Sequence, residues 1–266
     1  MTIRRVLATL AVLALVSACA RAGPPYVTDD PETPALHGWE INVPYARTTT
    51  SGVTQTEVPL FDINYGLREN LQMKVEVPVA GISGIGTGNG KGWGDTLIGP
   101  KWRFFDETKR RPQVAVYPQI LIPTGNAARG LGAGKSAYYL PVLVEKNWGN
   151  WTSFGNVGYV IQNAGGARDY WYYGAALTKE VNRRLIFGAE LFGNSPLDNS
   201  SRSLLGYSLG LEWKIAPHSN LLVSAGHDLR GDPTRLLYLG LQFEIESRRH
   251  HRERAARHPR DVVTNP

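Results

Sequence analysis

The sequence contains a single cysteine, Cys19, so no disulfide bond can form within one copy of the chain. Beyond the N-terminus it contains no run of about 18 apolar residues, which excludes a helical membrane protein. It also lacks the ligand spacing of a metal site, because His250 and His251 are adjacent and far from Cys19. We therefore predict no metal and no cofactor.

The N-terminus has the three parts of a secretory signal. Arg4 and Arg5 precede an apolar run over residues 6–16, which is followed by small residues. Two processing routes fit this pattern: ARA at 20–22 suits cleavage by the ordinary signal peptidase, and VSAC ending at Cys19 is typical of a bacterial lipobox with lipidation of the cysteine. We assign residues 1–22 as a signal peptide and expect the chain to leave the cytoplasm.

The positive net charge of +6 is concentrated at the C-terminus. Residues 247–266 hold six arginines and only two acidic residues, Glu253 and Asp261, which accounts for +4 of the total. We interpret these residues as a basic disordered tail, and contact with anionic lipid or a cell-wall polymer is the alternative. An exported protein rarely meets nucleic acid, so we predict no nucleic-acid partner.

Between these two ends, apolar and polar residues alternate. In LLGYSLGLEWKI at 204–215 every second residue is large and apolar, and the others are small or charged. The same alternation occurs at 236–245, 39–45 and 71–79. A period of two residues indicates β-strands and does not fit a helical face.

About twelve such segments follow one another. They lie near 38–49, 53–66, 70–80, 92–105, 112–123, 136–147, 151–163, 169–180, 184–193, 203–215, 220–227 and 235–246. Most have the length that a tilted strand needs to cross a bilayer, and tight polar connections alternate with longer glycine-rich ones. The sequence therefore predicts an all-β protein: a transmembrane antiparallel β-barrel of about 12 strands over residues 38–246, with short periplasmic turns and longer extracellular loops.

Alternation alone does not decide which face meets lipid, because a soluble sandwich would bury its apolar face. The export signal, the strand length and aromatic residues near strand ends all favour an apolar face in contact with lipid. Six tryptophans are expected to form an interfacial girdle: Trp39, Trp102, Trp148, Trp151, Trp171 and Trp213. In lipid the sheet must close on itself, so we predict a barrel in the Gram-negative outer membrane.

The charged residues of the opposite parity then point into the lumen. They are Glu40, Asp62, Lys74, Glu76, Asp95, Lys101, Arg103, Glu145, Glu190, Glu212, Lys214 and Glu244. Ionisable groups at membrane depth are tolerated only when they face water or each other. Two interpretations stay open: these residues line a pore and set its selectivity, or they form salt bridges that hold the barrel rigid.

Two motifs suggest other functions. RGLGAGKS at 129–136 resembles a phosphate-binding loop, but Arg129 stands where that loop needs glycine, and the β-forming residues 137–144 follow in place of a helix. Nucleotide binding is therefore not predicted. Ser224 and His227 are close in sequence, as in a membrane-boundary lipid hydrolase, but nothing else links them. We predict no catalytic residues.

Several short motifs resemble a known family of outer-membrane β-barrels, named for the meta-pathway of phenol degradation and often labelled transporters. They are GPPYVTDDPE at 23–32, HGWE at 37–40, GWGD at 92–95, KW at 101–102 and PTG at 123–125. The likeness spans about residues 23–245. It implies a barrel that admits aromatic or other hydrophobic small molecules. It also implies a mature chain that begins at Gly23, which favours ordinary cleavage over lipidation at Cys19.

We therefore expect an outer-membrane channel for passive passage of small, hydrophobic or aromatic solutes. Residues 23–37 are expected to form an N-terminal periplasmic or plug segment. A structural or adhesive barrel with a closed lumen, whose tail at 247–266 grips the cell wall, is the first alternative, and a membrane-boundary lipid hydrolase is the second. The expected partners are outer-membrane lipid and a small-molecule solute.

Overall fold

The computed structural model describes residues 24–84 and 89–245. The predictions for the signal peptide 1–22, for lipidation of Cys19 and for the tail 247–266 lie outside these residues. The described chain forms fourteen β-segments and one 3-10 turn, Ala127–Arg129. The segments are β1 (Trp39–Thr50), β2 (Val53–Arg68), β3 (Leu71–Gly84), β4 (Gly90–Trp93), β5 (Thr96–Phe105), β6 (Gln113–Val116), β7 (Gln119–Ile122), β8 (Ala137–Trp148), β9 (Trp151–Gln162), β10 (Tyr170–Asn182), β11 (Leu185–Asn194), β12 (Leu204–Ala216), β13 (Ser219–Arg230) and β14 (Thr234–Ile245).

The fourteen segments make twelve barrel strands. β4 and β5 both pair with β3 and are separated only by Gly94 and Asp95, so they are two halves of one strand. β6 and β7 both lie between β5 and β8 and are separated by Tyr117 and Pro118. Pro118 has no backbone N–H to donate, which accounts for the second interruption. The predicted number of twelve strands is confirmed.

The sheet closes on itself through its first and last strands. β1 pairs with β14 along its whole length, from Trp39↔Ile245 to Thr50↔Thr234. Every neighbouring pair is antiparallel, and β3–β5 pairing completes the circle. Closure leaves no row of unpaired backbone groups along a sheet edge, which a strand in hydrocarbon requires.

The two ends of the barrel differ in their connections. At the turn end, two-residue turns follow β2, β8, β10 and β12. At the loop end, longer connections include 123–136, 163–169 and 195–203. The N-terminal segment enters β1 at the turn end, and β14 ends there. This is the predicted arrangement, with the turn end as the periplasmic side and the loop end as the extracellular side.

The outer face is apolar and the inner face is mixed. Large apolar side chains such as Leu237, Leu239 and Leu241 are exposed on the outside, which excludes the soluble sandwich with a buried apolar face. None of the described residues forms a helix long and apolar enough to span a membrane.

The inner face differs from the expectation of a uniformly polar lumen. Towards the loop end, inward residues of β5 and β7–β10 pack with Leu197 of the 195–203 loop into an apolar cluster: Leu97, Leu121, Ala137, Tyr139, Val160, Tyr170 and Leu197. Its strand residues lie side by side on neighbouring strands, as the pairs Leu97↔Leu121 and Tyr139↔Val160 show. Polar and charged inner residues are concentrated towards the turn end.

Candidate functional site

A network of charges lies on the inner face of β1–β3. Lys74 Nζ is 3.2 Å from Asp62 Oδ1 and 3.0 Å from Glu76 Oε2, and all three side chains are almost fully buried. Asp62 also accepts hydrogen bonds from Asn64 (3.1 Å) and Asn42 (3.3 Å). Partners from three strands offset the cost of burying these charges and fix the strands relative to one another.

Residues 24–37 run inside the barrel, and Lys101 is their main anchor. Lys101 Nζ donates to Asp29 Oδ1 at 2.9 Å and to the carbonyl oxygen of Asp30 at 2.7 Å. It also lies 4.9 Å from the ring centre of Tyr117. Burial raises the pKa of Asp30 to about 6, and the positive charge of Lys101 opposes this shift. The sequence prediction placed Lys101 in the lumen but did not identify its partner.

Glu190 on β11 holds the same segment further along. Its carboxylate accepts hydrogen bonds from the backbone N–H groups of Val27 (2.9 Å) and Thr28 (2.7 Å) and from the Ser208 hydroxyl (2.6 Å). Glu190 is only 3% exposed, so these bonds replace its hydration. A charged group on the wall is therefore matched to the backbone of the inner segment.

Three inward glycines leave room for this segment. A Cβ atom at Gly174 would lie 2.2 Å from Thr28 Oγ1. At Gly188 and Gly210 it would lie 2.5 Å and 2.4 Å from atoms of the Tyr26 side chain. Any larger residue at these positions would occupy the space of Tyr26 or Thr28. Glycine on the inner parity of three successive strands was the sequence signal for this contact, and the sequence interpretation missed it.

Arg103, near the turn end, binds both the turns and the inner segment. Its guanidinium donates to Asp106 (3.0 Å), to the Glu69 carbonyl oxygen (3.0 Å) and to the Thr33 hydroxyl (3.2 Å). It also lies 3.7 Å from a carboxylate oxygen of Glu32. These contacts hold the later part of the segment, near the turn end, against the wall.

Glu145 is connected to Glu32 of the inner segment by the side-chain amide of Gln113. Gln113 Nε2 donates to Glu145 at 2.7 Å and to Glu32 at 2.6 Å. Glu145 thus reaches the inner segment only through Gln113.

Asp95 organises the glycine-rich loop 123–136. Its carboxylate accepts hydrogen bonds from the backbone N–H groups of Gly125 (2.8 Å) and Ala133 (2.6 Å). A Cβ atom at Gly132 would lie 2.3 Å from Asp95 Oδ1, so glycine is needed for this close approach. Of the glycines that resembled a phosphate-binding loop, Gly132 packs against a carboxylate of the chain itself.

The remaining predicted lumenal residues lie near the turn end. Glu40 is half-buried and accepts a hydrogen bond from Asn42. Glu212 is half-buried, whereas Glu244 and Lys214 are exposed. Within the described residues, none of these four side chains forms a hydrogen bond or an ion pair with the inner segment.

A cavity that is partly open to solvent remains between residues 24–27 and the wall formed by β1, β2 and β14. Tyr26, Leu60 and Leu236 supply apolar lining, and Gln55 and Tyr238 supply polar groups. The Tyr238 hydroxyl is buried without a hydrogen-bond partner among the described residues. A bulge at 58–59 shifts β2 relative to both neighbours and brings Leu60 to the inner face.

Ser224 and His227 lie on opposite faces of β13. Ser224 points inwards and donates to the Pro25 carbonyl oxygen. His227 points outwards, and its Nε2 lies 2.9 Å from the Tyr207 hydroxyl. These two residues therefore cannot act together as nucleophile and base. Within residues 24–84 and 89–245, no cluster of His, Cys, Asp and Glu is arranged to hold a metal ion.

The predicted girdle tryptophans are all exposed on the outer face. Their exposed fractions range from 40% for Trp39 to 55% for Trp148. Trp171 lies at the loop end and the other five lie towards the turn end. Trp93, which the sequence interpretation left out, is exposed as well.

The closed twelve-stranded barrel has the fold of outer-membrane channels. Its residues 26–244 match the family model described as "Putative MetA-pathway of phenol degradation", and the chain belongs to that family. No curated protein matches the sequence.

Solved structures agree with this assignment. An outer membrane channel from Pseudomonas putida F1 is similar with a TM-score of 0.67 and 15% identity, covering 85% of this chain and 99% of that one. The KdgM porin (12% identity) and the NanC porin (9% identity) each have a TM-score of 0.54, covering 76% of this chain and 98% of theirs. At these identities the likeness concerns the fold.

Proposed function

We propose that this protein is a channel of the Gram-negative outer membrane through which small hydrophobic or aromatic molecules pass down their gradient. The observation that carries the proposal is the cavity beside residues 24–27, because it is a largely apolar space inside a closed barrel. Its apolar lining by Tyr26, Leu60 and Leu236 suits an apolar solute.

The pairing of the charges inside the barrel favours a neutral solute over an ion. Lys74 is matched by Asp62 and Glu76, and Lys101 is matched by Asp29, so these ions are satisfied within the protein. A permeating ion would have to compete with these buried pairs. Two interpretations of the inward charged residues were open: a pore lining and a set of salt bridges. For these residues the second is favoured, because their ion pairs hold the wall and the inner segment in place.

Residues 24–37 act as a plug in this proposal. They fill the lumen from the periplasmic end and are held by Lys101, Glu190 and Arg103. Deleting residues 24–36 should raise the single-channel conductance in planar bilayers, because the lumen then lacks its filling. Unchanged conductance would reject the plug.

Passage of solutes is measured separately in proteoliposomes. Uptake of toluene or phenol should exceed uptake of a charged aromatic such as benzoate at equal concentration. Equal rates, or no uptake above that of empty liposomes, would contradict the proposed solute class.

A structural barrel with a closed lumen remains the second candidate, because the inner segment and the apolar cluster around Leu97 fill much of the lumen. This alternative predicts no conductance steps from the full chain or from the deletion variant. A mature chain that stays monodisperse in buffer without detergent would contradict both candidates, since each requires the apolar outer face to meet acyl chains.

A further inference from the structure

The outer face of the barrel is not equally apolar all the way round. Near the loop end of β14, β1 and β2 it carries Arg235, Arg47, Thr49, Thr54 and Thr56. Strand register makes these residues neighbours: Arg235 pairs with Thr49, and Arg47 pairs with Thr56. The Thr49 and Thr54 hydroxyls are 3.0 Å apart, so both point to the same side of the sheet.

Both arginines in this basic patch are exposed and lie on neighbouring strands. Since Thr49 pairs with Arg235, Arg47 is the diagonal neighbour of Arg235, at about 7–8 Å. Lys91 extends the patch, because it pairs with Gly81, which in turn pairs with Thr56.

The strands that carry the patch supply no counter-charge, and the Asp228 carboxylate on the neighbouring β13 accepts a hydrogen bond from the backbone N–H of Thr234. In the part of the chain that the structure describes, neither arginine forms an ion pair. The outward residues of β14, β1, β2 and β3 there include no aspartate or glutamate. Two like charges held side by side without a partner attract an anion.

The described residues at the loop end of β8–β10 form no equivalent patch. At the loop end of β8–β10 the outward residues are Tyr138, Tyr159, Ile161, Trp171 and Tyr173. The apolar band therefore reaches the loops on that side, whereas on the β14–β2 side it stops at Tyr45 and Leu237.

The height of the patch places it at the lipid headgroups. On β1 the outward residues from Trp39 to Tyr45 are apolar or aromatic, and Arg47 comes next. Eight residues at about 3.3 Å each, tilted by about 40°, span roughly 20 Å along the barrel axis. The apolar band of such barrels is about 25 Å tall. With Trp39 at the periplasmic interface, Arg47 and Arg235 lie at the opposite, outer interface.

We propose that this patch is a binding site for the phosphate groups of lipid A, the phosphorylated glycolipid of the outer leaflet. An arginine guanidinium binds phosphate through two parallel hydrogen bonds, and threonine hydroxyls supply further donors. Arg47 and Arg235 share one phosphate from adjacent strands, and Lys91 reaches a second. The apolar strip from Tyr45 to Trp39 covers the acyl chains of the same molecule. The site is independent of solute passage.

The test uses the full mature chain, folded in detergent, with purified lipid A as the probe. Native mass spectrometry compares bisphosphorylated with fully dephosphorylated lipid A. The double variant Arg47→Gln/Arg235→Gln removes both charges, and Lys179→Gln removes one exposed outward cation at the turn end as the control. Two basic residues near an anionic surface correspond to a loss of roughly 30-fold in affinity. Heat-modified gel mobility shows that each variant is folded.

We expect the wild type and Lys179→Gln to retain bisphosphorylated lipid A, and the double variant to lose it. Dephosphorylated lipid A should bind to all three proteins equally weakly. The proposal is overturned if the double variant binds as the wild type does, or if removal of the phosphates leaves wild-type binding unchanged. An equal loss in Lys179→Gln overturns it too, because the effect is then one of total charge. If the double variant does not fold, Arg235→Gln alone is compared with Lys179→Gln under the same criteria.

Discussion

The bond between Glu190 and the inner segment allows a quantitative prediction for Glu190→Gln. The carboxylate accepts from the Val27 and Thr28 amides and from Ser208, at 2.6–2.9 Å. A glutamine keeps one acceptor oxygen, and its NH₂ group then faces a backbone N–H, donor against donor. The loss of one charge-assisted bond and one unsatisfied buried donor together cost about 3 kcal/mol. The ratio of released to bound segment should therefore rise roughly 100-fold.

Two measurements test this change. Hydrogen exchange followed by mass spectrometry should show faster exchange of the Val27 and Thr28 amides in Glu190→Gln. Planar-bilayer recordings should show a matching rise in the ratio of open to closed time. The control is Glu212→Gln on the neighbouring strand, because within the described residues Glu212 forms no hydrogen bond to the inner segment.

The two readouts separate two parts of the reasoning. Unchanged amide exchange in Glu190→Gln would refute the role of the carboxylate as an anchor. Faster exchange with unchanged open time would show that the anchor is real and that the segment does not block conduction. An equal effect of Glu212→Gln would assign the change to the charge of the lumen.

Further predictions concern packing, pH and stability. Gly210→Leu should open the channel without changing any charge, because the new side chain takes the space of Tyr26; conductance equal to wild type would contradict this. The raised pKa of Asp30 means that the bound segment holds a proton which the released segment loses between its ordinary pKa near 4 and about 6. Binding should weaken as pH rises through that window, and Asp30→Asn should remove the pH dependence of the open time. Lys74→Met leaves two buried carboxylates without their cation and should lower the free energy of unfolding in urea by about 3–5 kcal/mol, whereas Lys179→Met should change it little.

The positions of the strands were predictable because each strand of a barrel alternates apolar and polar residues along its own sequence. Alternation of period two marks each strand from its own residues, and all twelve were located. The ends were less accurate: β3 continues to Gly84, beyond the predicted 80, since Val53 on the long β2 pairs with it. The interruption at Pro118 also has a local cause, although the sequence interpretation treated 112–123 as one strand.

The partners inside the barrel were not predictable in the same way. Residues 24–37 lie more than 150 positions from Glu190 in sequence, and nothing in the alternation of β11 specifies that its carboxylate meets two backbone amides. The same holds for Asp95, whose inward parity fits a pore charge equally well. The position of a residue in the alternation tells which face of the sheet its side chain is on. Only the closed and curved wall of the barrel decides which groups that side chain meets.

The sequence by itself determined a chain of alternating strands with one apolar face, because side-chain direction in a strand depends only on residue order, and it predicted export. The tertiary structure decided that the inner segment occupies the lumen, that an apolar cluster fills part of the loop-end interior, and that two arginines distant in sequence adjoin on the outer surface. Each of these depends on barrel closure, which joins β1 to β14 and brings residues from opposite ends of the chain within contact distance.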